Sequence, residues 1–81
     1  MNSFEGRLLS FIRRELLHDA DVAIDEHTYL FDEGLIDSLK ILQLIAFLEV
    51  ETARPIPDRD LVMEHFRTVS AMSARFGPAD T

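Results

Sequence analysis

The fold is decided by residues 30–52, which read LFDEGLIDSLKILQLIAFLEVET. Gly34 gives the first part turn chemistry, whereas residues 39–51 contain neither glycine nor proline and are rich in strong helix formers. The junction predicts a helix over about residues 39–53. Ser38 is predicted to be its N-cap, because a serine oxygen can accept a hydrogen bond from a free N–H of the first helical turn. We therefore expect an exposed serine hydroxyl at the start of this helix.

This predicted helix is too apolar to have only one buried face. At about 100° per residue, one stripe should face the core; its members are Ile41, Leu44, Ile45, Leu48 and Thr52. The opposite side carries Leu39, Ala46 and Val50, with Gln43 among them and with Leu42 and Phe47 on the two flanks. Leu42 and Phe47 are either covered by other parts of the chain or exposed. The remaining apolar residues predict a strip that faces a partner protein.

Helical periodicity continues on both sides of this segment, and no alternating strand pattern is convincing. The first helix is predicted to end near His18 and to bury an apolar stripe made of Phe4, Leu8, Phe11, Ile12 and Leu16. A long connection over residues 19–37 follows. Its apolar side chains should pin it to the core; they are Val22, Ile24, Tyr29, Leu30 and Phe31.

Two shorter helices are predicted after Pro55 and Pro57, which end the second helix. Asp58 should cap the third, which is expected to carry Leu61, Val62 and Phe66 inward. Thr68 should cap the fourth, whose inward residues are Val69, Met72 and Phe76 and which ends at Gly77 and Pro78. The prediction is an all-α bundle of three main helices and a short one, forming a single domain over residues 1–81. Its ordered core covers about residues 3–76, and residues 77–81 form a frayed tail.

Composition limits the function. The chain has 81 residues, enough for one small core, and no cysteine, so it offers no disulfide and no thiolate metal ligand. Its 15 acidic against 8 basic residues argue against nucleic-acid binding. No stretch has the length of a membrane span, and the first residues lack the pattern of a secretory signal. We expect a cytoplasmic monomer that contacts no membrane.

Acidic residues are concentrated just before Ser38. Residues 19–37 include seven of them, and no lysine or arginine occurs over residues 15–39. The run is either a solvated loop that keeps the protein soluble or a field that steers a basic partner toward the serine.

The chain resembles acyl and peptidyl carrier proteins over about residues 4–76. The resemblance is carried by LFDEGLIDSL at residues 30–39, by LEVE at residues 48–51 leading into Ile56-Pro57-Asp58, and by Phe66-Arg67-Thr68-Val69. It implies a four-helix bundle of acyl-carrier-protein type with a long loop between helices 1 and 2. It also implies that a phosphopantetheinyl transferase attaches 4′-phosphopantetheine from coenzyme A to Ser38. The arm would supply the thiol that this cysteine-free chain lacks.

The resemblance also implies a non-catalytic role, in which the chain carries acyl or aminoacyl thioesters. Its partners would be the transferase, an activating ligase or acyltransferase, and downstream synthase, condensing or tailoring enzymes. The residues predicted to contact them are Asp37, Leu39, Lys40, Leu42, Gln43, Ala46 and Val50. Fatty-acid carriers usually bear acids along this helix, whereas Lys40, Gln43, Ala46 and Val50 stand here. The family also often has an aromatic where this chain has Thr52, which predicts a looser or a differently packed core near the helix end. We therefore expect a carrier of polyketide, nonribosomal peptide or related specialised metabolism, with housekeeping fatty-acid synthesis as the alternative.

Two other classes compete with the carrier hypothesis. An acidic helical adaptor would keep the apolar strip but use Ser38 only as a cap. A hydrolase would pair Ser38 with His18, His27 or His65, yet the chain has no Gly-x-Ser-x-Gly turn and little room for an oxyanion hole. The three histidines are spaced too irregularly for a helical metal pair, which favours solvated or capping roles.

Overall fold

The structure is a computed structural model that describes residues 3–19 and 21–77, and within those ranges it is helical without strands. Helix α1 covers Ser3–Phe11 and continues as a π-helical turn over Ile12–Leu16. Helix α2 covers Ser38–Thr52, α3 covers Met63–Phe66 and α4 covers Val69–Phe76; a 3-10 turn, Asp58–Asp60, precedes α3. The predicted all-α architecture, with a short third helix and a long first loop, is confirmed.

The core is assembled from one face of each longer helix. Four of the five residues predicted for α1 and its π-helical turn are buried, while Phe11 lies at the edge and stacks on Phe47 with ring centroids 4.2 Å apart. From α2, Leu44 and Leu48 are completely buried, and Ile41 and Ile45 are half-buried. The predicted residues of α4 are also buried. Each large aliphatic side chain removed from water contributes about 1.5–3 kcal/mol, so these faces hold the bundle together.

The long loop is pinned to the core, though not by all of the predicted residues. Ile24 and Leu30 are buried, and Val22 and Phe31 pack against the core. Tyr29, predicted as a fifth anchor, is exposed. The neighbouring backbone is fixed without it, because the Leu30 N–H donates to the Arg67 carbonyl at 3.0 Å.

The loop is also held by two contacts that the sequence did not predict. The Arg13 guanidinium donates to the carbonyl of Val22 at 3.3 Å and to that of Ile24 at 2.7 Å, tying the loop to the π-helical turn. On the opposite side, the Ser70 N–H of α4 donates to the Glu26 carbonyl at 2.9 Å. Both contacts join polar groups distant in sequence, so helical periodicity carries no signal for either.

The segment between α2 and α4 differs most from the sequence prediction. Asp58 begins a 3-10 turn rather than capping α3, and the residue before α3 is Val62, which offers no side-chain cap. Phe66 is buried as predicted, whereas Leu61 and Val62 are exposed rather than inward-facing. Leu61 and Val62 lie between the 3-10 turn and α3, with Val62 extended, so these side chains do not share one helical stripe with Phe66.

The C-terminal end of α2 lies within a residue of the prediction, and both ends of α4 follow the predicted chemistry. Helix α2 stops at Ala53, which adopts a left-handed conformation with φ of 58°. Thr68 caps α4 by accepting the Ala71 N–H at 3.0 Å, as predicted, and the Gly77 N–H closes the helix on the Ser73 carbonyl at 2.9 Å. Gly77 is thus hydrogen-bonded rather than frayed, and the rest of the predicted tail, residues 78–81, lies outside the described residues. No helix of the described part is long and apolar enough to cross a membrane.

Candidate functional site

The chain reaches the start of α2 through a tight set of turns. Gly34 has φ of 76°, a conformation that glycine adopts without steric cost, and its N–H donates to the Phe31 carbonyl at 3.0 Å. The N–H groups of Leu35 and Ile36 both donate to the Leu30 carbonyl, at 2.9 and 3.2 Å. Leu30 and Ile36 are buried at the two ends of this turn. The residues that follow Ile36 therefore start from a fixed point on the core.

Asp37, not Ser38, is the N-cap of α2, so the prediction of a capping serine is wrong. Asp37 is extended, with φ of −115°, and its Oδ1 accepts the N–H groups of Leu39 at 3.1 Å and Lys40 at 2.9 Å. Aspartate caps as well as serine does, and its negative charge is also favoured at the positive end of the helix dipole. Ser38 becomes the first residue of the helix.

The Asp37 cap has an electrostatic signature. The hydrogen bond from the backbone N–H of Lys40 lowers the pKa of the Asp37 carboxyl below its ordinary value, and the Leu39 N–H and the Lys40 charge act in the same direction. Together these contributions outweigh desolvation, which acts in the opposite direction. The carboxylate is thus held in its charged, capping form.

Ser38 is exposed, and within residues 3–19 and 21–77 its hydroxyl makes no hydrogen bond. Asp37 has taken over the capping that would otherwise occupy it. The Oγ lies at the start of a 15-residue helix, where the helix dipole favours a negatively charged group. A serine in this position is open to modification by an enzyme and suited to bear a phosphodiester.

An apolar cleft opens beside Ser38. Its volume is about 430 Å³, and Ser38 is its one polar lining residue. Its other lining residues are Phe31, Ile41, Ile45, Leu61, Val62, Met63 and Phe66. Part of the stripe predicted as core, Ile41 and Ile45, therefore forms a wall of this cleft. A chain attached at Ser38 has an apolar space within immediate reach.

The residues predicted to contact partners share one exposed side of α2, apart from Lys40, which is half-buried. Leu39 is 74% exposed and Val50 78% exposed, while Asp37, Gln43 and Ala46 are also exposed. The sequence left open whether Leu42 and Phe47 are covered. Leu42 is 63% exposed, whereas Phe47 is half-buried against Phe11. An apolar strip beside Ser38 is present, and its use in docking stays a prediction.

Acidic side chains of the long loop are largely engaged in local structure. Asp19 accepts the Asp21 N–H at 3.0 Å and Asp25 accepts the His27 N–H at 2.8 Å. The His27 bond lowers the pKa of Asp25, and Asp37 caps α2. The Asp32 Oδ2 lies 3.7 Å from the Arg67 Nε. These contacts give several of the acids a role in the local structure that the sequence did not predict, and both the solubility and the steering alternatives stay predictions.

The histidines do not assemble with Ser38. None of them lines the cleft at Ser38. His18 and His27 are exposed, and the His65 ring lies edge-on to the Phe76 ring with the ring centroids 6.2 Å apart. Among the described residues, no group of three potential metal ligands is present. In the part of the chain that the structure describes, no histidine is hydrogen-bonded to Ser38.

The residues around Ser38 fit a phosphopantetheine arm. The exposed hydroxyl would offer an attachment atom, and the positive end of the α2 dipole would favour the charge of a phosphodiester. The apolar cleft matches an apolar cargo. Sequence reasoning found Ser38 and the strip but did not locate the cleft, because its lining segments meet only in the folded chain. It also left Ile36 out of the core.

Comparison with known proteins agrees with this geometry. Residues 7–76 match the model of a family described as "Phosphopantetheine attachment site". The chain is also 30% identical, over 70 residues, to the "Probable acyl carrier protein PigG" of Serratia sp. (strain ATCC 39006), an alignment that covers 86% of this chain and 80% of that protein.

Proposed function

The chain belongs to the acyl and peptidyl carrier protein family, whose members carry covalent 4′-phosphopantetheine, and from this membership we propose that Ser38 is the attachment site. The observation that carries the proposal is the exposed, unbonded Ser38 hydroxyl at the rim of an apolar cleft. When bound, the arm supplies the thiol on which thioesters form, a group that a chain without cysteine cannot provide.

The surrounding residues divide the remaining tasks. Asp37 holds the first turn of α2 through Leu39 and Lys40 and leaves Ser38 free to face a phosphopantetheinyl transferase. Lys40 would add positive charge to the first turn of the helix that would bear the phosphodiester. The side chains of Ile41, Ile45 and Phe66 offer an apolar cargo a place away from water. The chain itself is then a non-catalytic carrier.

Partner enzymes are proposed to dock on the exposed side of α2. Members of the family work with a phosphopantetheinyl transferase and with further partner enzymes. The docking side is proposed to consist of Asp37, Leu39, Lys40, Leu42, Gln43, Ala46 and Val50. Its exposed leucine and valine side chains favour partners that make apolar contacts, because charged residues are few on this side.

The cargo is proposed to be an acyl or aminoacyl group of polyketide, nonribosomal peptide or related specialised metabolism. Lys40, Gln43, Ala46 and Val50 support this choice over housekeeping fatty-acid synthesis, the second candidate, since they stand where fatty-acid carriers usually have acids. The proposed partners are the transferase, an activating ligase or acyltransferase, and downstream synthase, condensing or tailoring enzymes. The cytoplasmic location, single-domain organisation and monomeric state stay predictions from the sequence.

The test is intact mass after incubation with coenzyme A and a phosphopantetheinyl transferase of broad specificity. Wild type should gain the mass of one phosphopantetheine, and Ser38→Ala should gain none. Ser70→Ala is the matched control, because Ser70 is a serine in the first turn of α4, and it should be modified like wild type. An unmodified but folded wild type, tested with several transferases, would favour an adaptor without a prosthetic group. Ester hydrolysis that disappears in Ser38→Ala would favour an enzyme.

A further inference from the structure

The cleft beside Ser38 has walls of unequal construction. One wall consists of Ile41 and Ile45 on α2, a 15-residue helix with a capped start. Residues 61–63, called here the outer wall, form another part of the lining, at the junction between the 3-10 turn and α3. Its side chains are 40–52% exposed. A shift of the outer wall would therefore change the shape of the cleft.

Local secondary structure does little to fix the outer wall. The 3-10 turn has three residues and α3 has four, and neither has a side-chain cap. The backbone hydrogen bonds of this segment are short-range: Asp60 N–H to Pro57, Leu61 N–H to Asp58 and His65 N–H to Val62, at 2.9–3.1 Å. Helical pieces this short are not stable by themselves in water. The wall depends on what anchors its two ends.

Each end of the outer wall has one buried anchor. Phe66 follows it and is 3% exposed in the core. Asp60 precedes it and is 8% exposed, the one buried charged residue among residues 4–19 and 21–77. The Asp60 carboxylate accepts a hydrogen bond from the Arg75 guanidinium on α4. The first anchor is apolar and the second is an ion pair.

We propose that the Asp60–Arg75 ion pair is a positioning device that holds the outer wall in place and thereby sets the width of the cleft at Ser38. The pair also lines a second cavity of about 320 Å³ with Thr52, Pro57 and Phe76, so the segment has room to shift when the pair opens. Arg75 remains 45% exposed in its side chain, which keeps the pair accessible to water.

A charged pair suits this task better than an apolar contact of equal size. Partial burial costs solvation, so such a pair adds little net stability and is often replaceable by apolar residues. Such a pair fixes the relative position of the two segments, because a guanidinium and a carboxylate bind in a restricted geometry. Removal of one partner leaves the other partly buried and unpaired, and the segment moves to hydrate it.

The first test uses the unmodified protein and is independent of the proposed function. With ¹³C-methyl methionine, the NMR signal of Met63 reports the outer wall and that of Met72 reports the core. Asp60→Asn and Arg75→Gln should increase the methyl mobility of Met63 and leave Met72 rigid. Arg75→Lys keeps the positive charge, so the methyl mobility of Met63 should lie between that of wild type and that of Arg75→Gln. Arg7→Gln, which breaks the Arg7–Glu51 pair between α1 and α2, is the control and should leave both methyl groups unchanged.

Two results of this first test would overturn the proposal. One is a Met63 methyl group that stays as rigid as in wild type in both Asp60→Asn and Arg75→Gln. The other is equal loosening of Met63 and Met72 in all three Asp60 and Arg75 variants, because the pair would then support the whole core rather than the wall.

The second test concerns the cargo and rests on the proposed function. Ser38 is loaded from octanoyl- or acetyl-coenzyme A by the transferase, and hydroxylamine then cleaves the thioester to a hydroxamate and the free thiol. In Asp60→Asn, octanoyl cleavage should be about threefold faster or more, because local opening exposes a protected bond, while acetyl cleavage should match wild type. Equal octanoyl rates in the variant and wild type would overturn the role of the pair. Failure of loading would instead reject the proposed function and leave the methyl test intact.

Discussion

The two apolar sides of α2 have similar chemistry and opposite surroundings. Leu44 and Leu48 are completely buried between the other helices, whereas Leu39, Leu42 and Val50 project into solvent from the same helix. Burial lets the first side contribute to folding, while the second side contributes little because its surface stays in water. The comparison teaches that hydrophobicity alone does not assign a helix face to the core. The exposed side is available to a partner, and it begins beside Ser38.

The largest expected effect distinguishes the two sides by stability. Leu44→Ala should lower the free energy of unfolding by about 2–5 kcal/mol, because it removes buried contacts and leaves a cavity. Leu42→Ala, the same change on the exposed side, should alter it by no more than about 0.5 kcal/mol. Urea unfolding followed by circular dichroism measures both. Similar losses would mean that Leu42 is covered in solution and that the contrast between the sides is false.

The next effect distinguishes the sides by docking. Leu39→Asp and Val50→Asp should each reduce the kcat/KM of phosphopantetheinyl transfer about tenfold, equivalent to about 1.4 kcal/mol of lost transition-state contact. Both variants should retain wild-type helicity, since the positions are exposed. Ala74→Asp adds the same charge to an exposed position of α4 and should transfer at the wild-type rate. Loss of helicity in Leu39→Asp or Val50→Asp would show that the core side is wrongly assigned.

A smaller effect concerns Asp37, the N-cap of α2, which directly precedes Ser38. The pKa of Asp37 is lowered in the folded chain, chiefly by the Lys40 N–H, so its stabilising contribution is present above the unfolded pKa of about 3.9 and is lost as the pH falls through the lower folded value. Asp37→Asn keeps a capping side chain without the charge. The melting temperature of wild type should exceed that of Asp37→Asn near neutral pH.

This difference in melting temperature should shrink toward zero as the pH falls through the acid range. Because Asp25 also has a lowered pKa and is present in both proteins, its titration cancels in the comparison. A constant difference at all pH values would contradict the assignment of a charged cap to Asp37.

The smallest expected effect is that of salt on transfer. If the exposed side of α2 binds mainly through apolar contacts, raising the salt concentration from about 0.1 to about 0.5 M should change kcat/KM by less than about threefold. A steep fall would instead indicate that the acidic loop steers a basic partner. The control is a small-molecule assay of the same transferase across these salt concentrations, which corrects for direct effects on the enzyme.

Sequence periodicity predicted what repeats along a helix and failed where segments meet. The buried residues of α1 and α4 and both sides of α2 follow from spacing, and turn chemistry located the start of α2 to within one residue. The N-cap is Asp37 rather than Ser38. Both residue types are good caps and they are adjacent here, so spacing alone could not choose between them. The cleft and the Asp60–Arg75 pair depend on α2, α3 and α4 coming together, which no local pattern encodes.

The central claim is that Ser38 carries the arm, and tandem mass spectrometry of one peptide tests it most directly. Trypsin cleaves after Arg14 and Lys40, so the peptide over residues 15–40 contains Ser38 as its single serine, with Thr28 and Tyr29 as its other hydroxyl groups. After incubation with transferase and coenzyme A, fragment ions should place one phosphopantetheine on Ser38. A phosphopantetheine on Thr28 or on any other peptide, or none on a folded protein, would contradict the account.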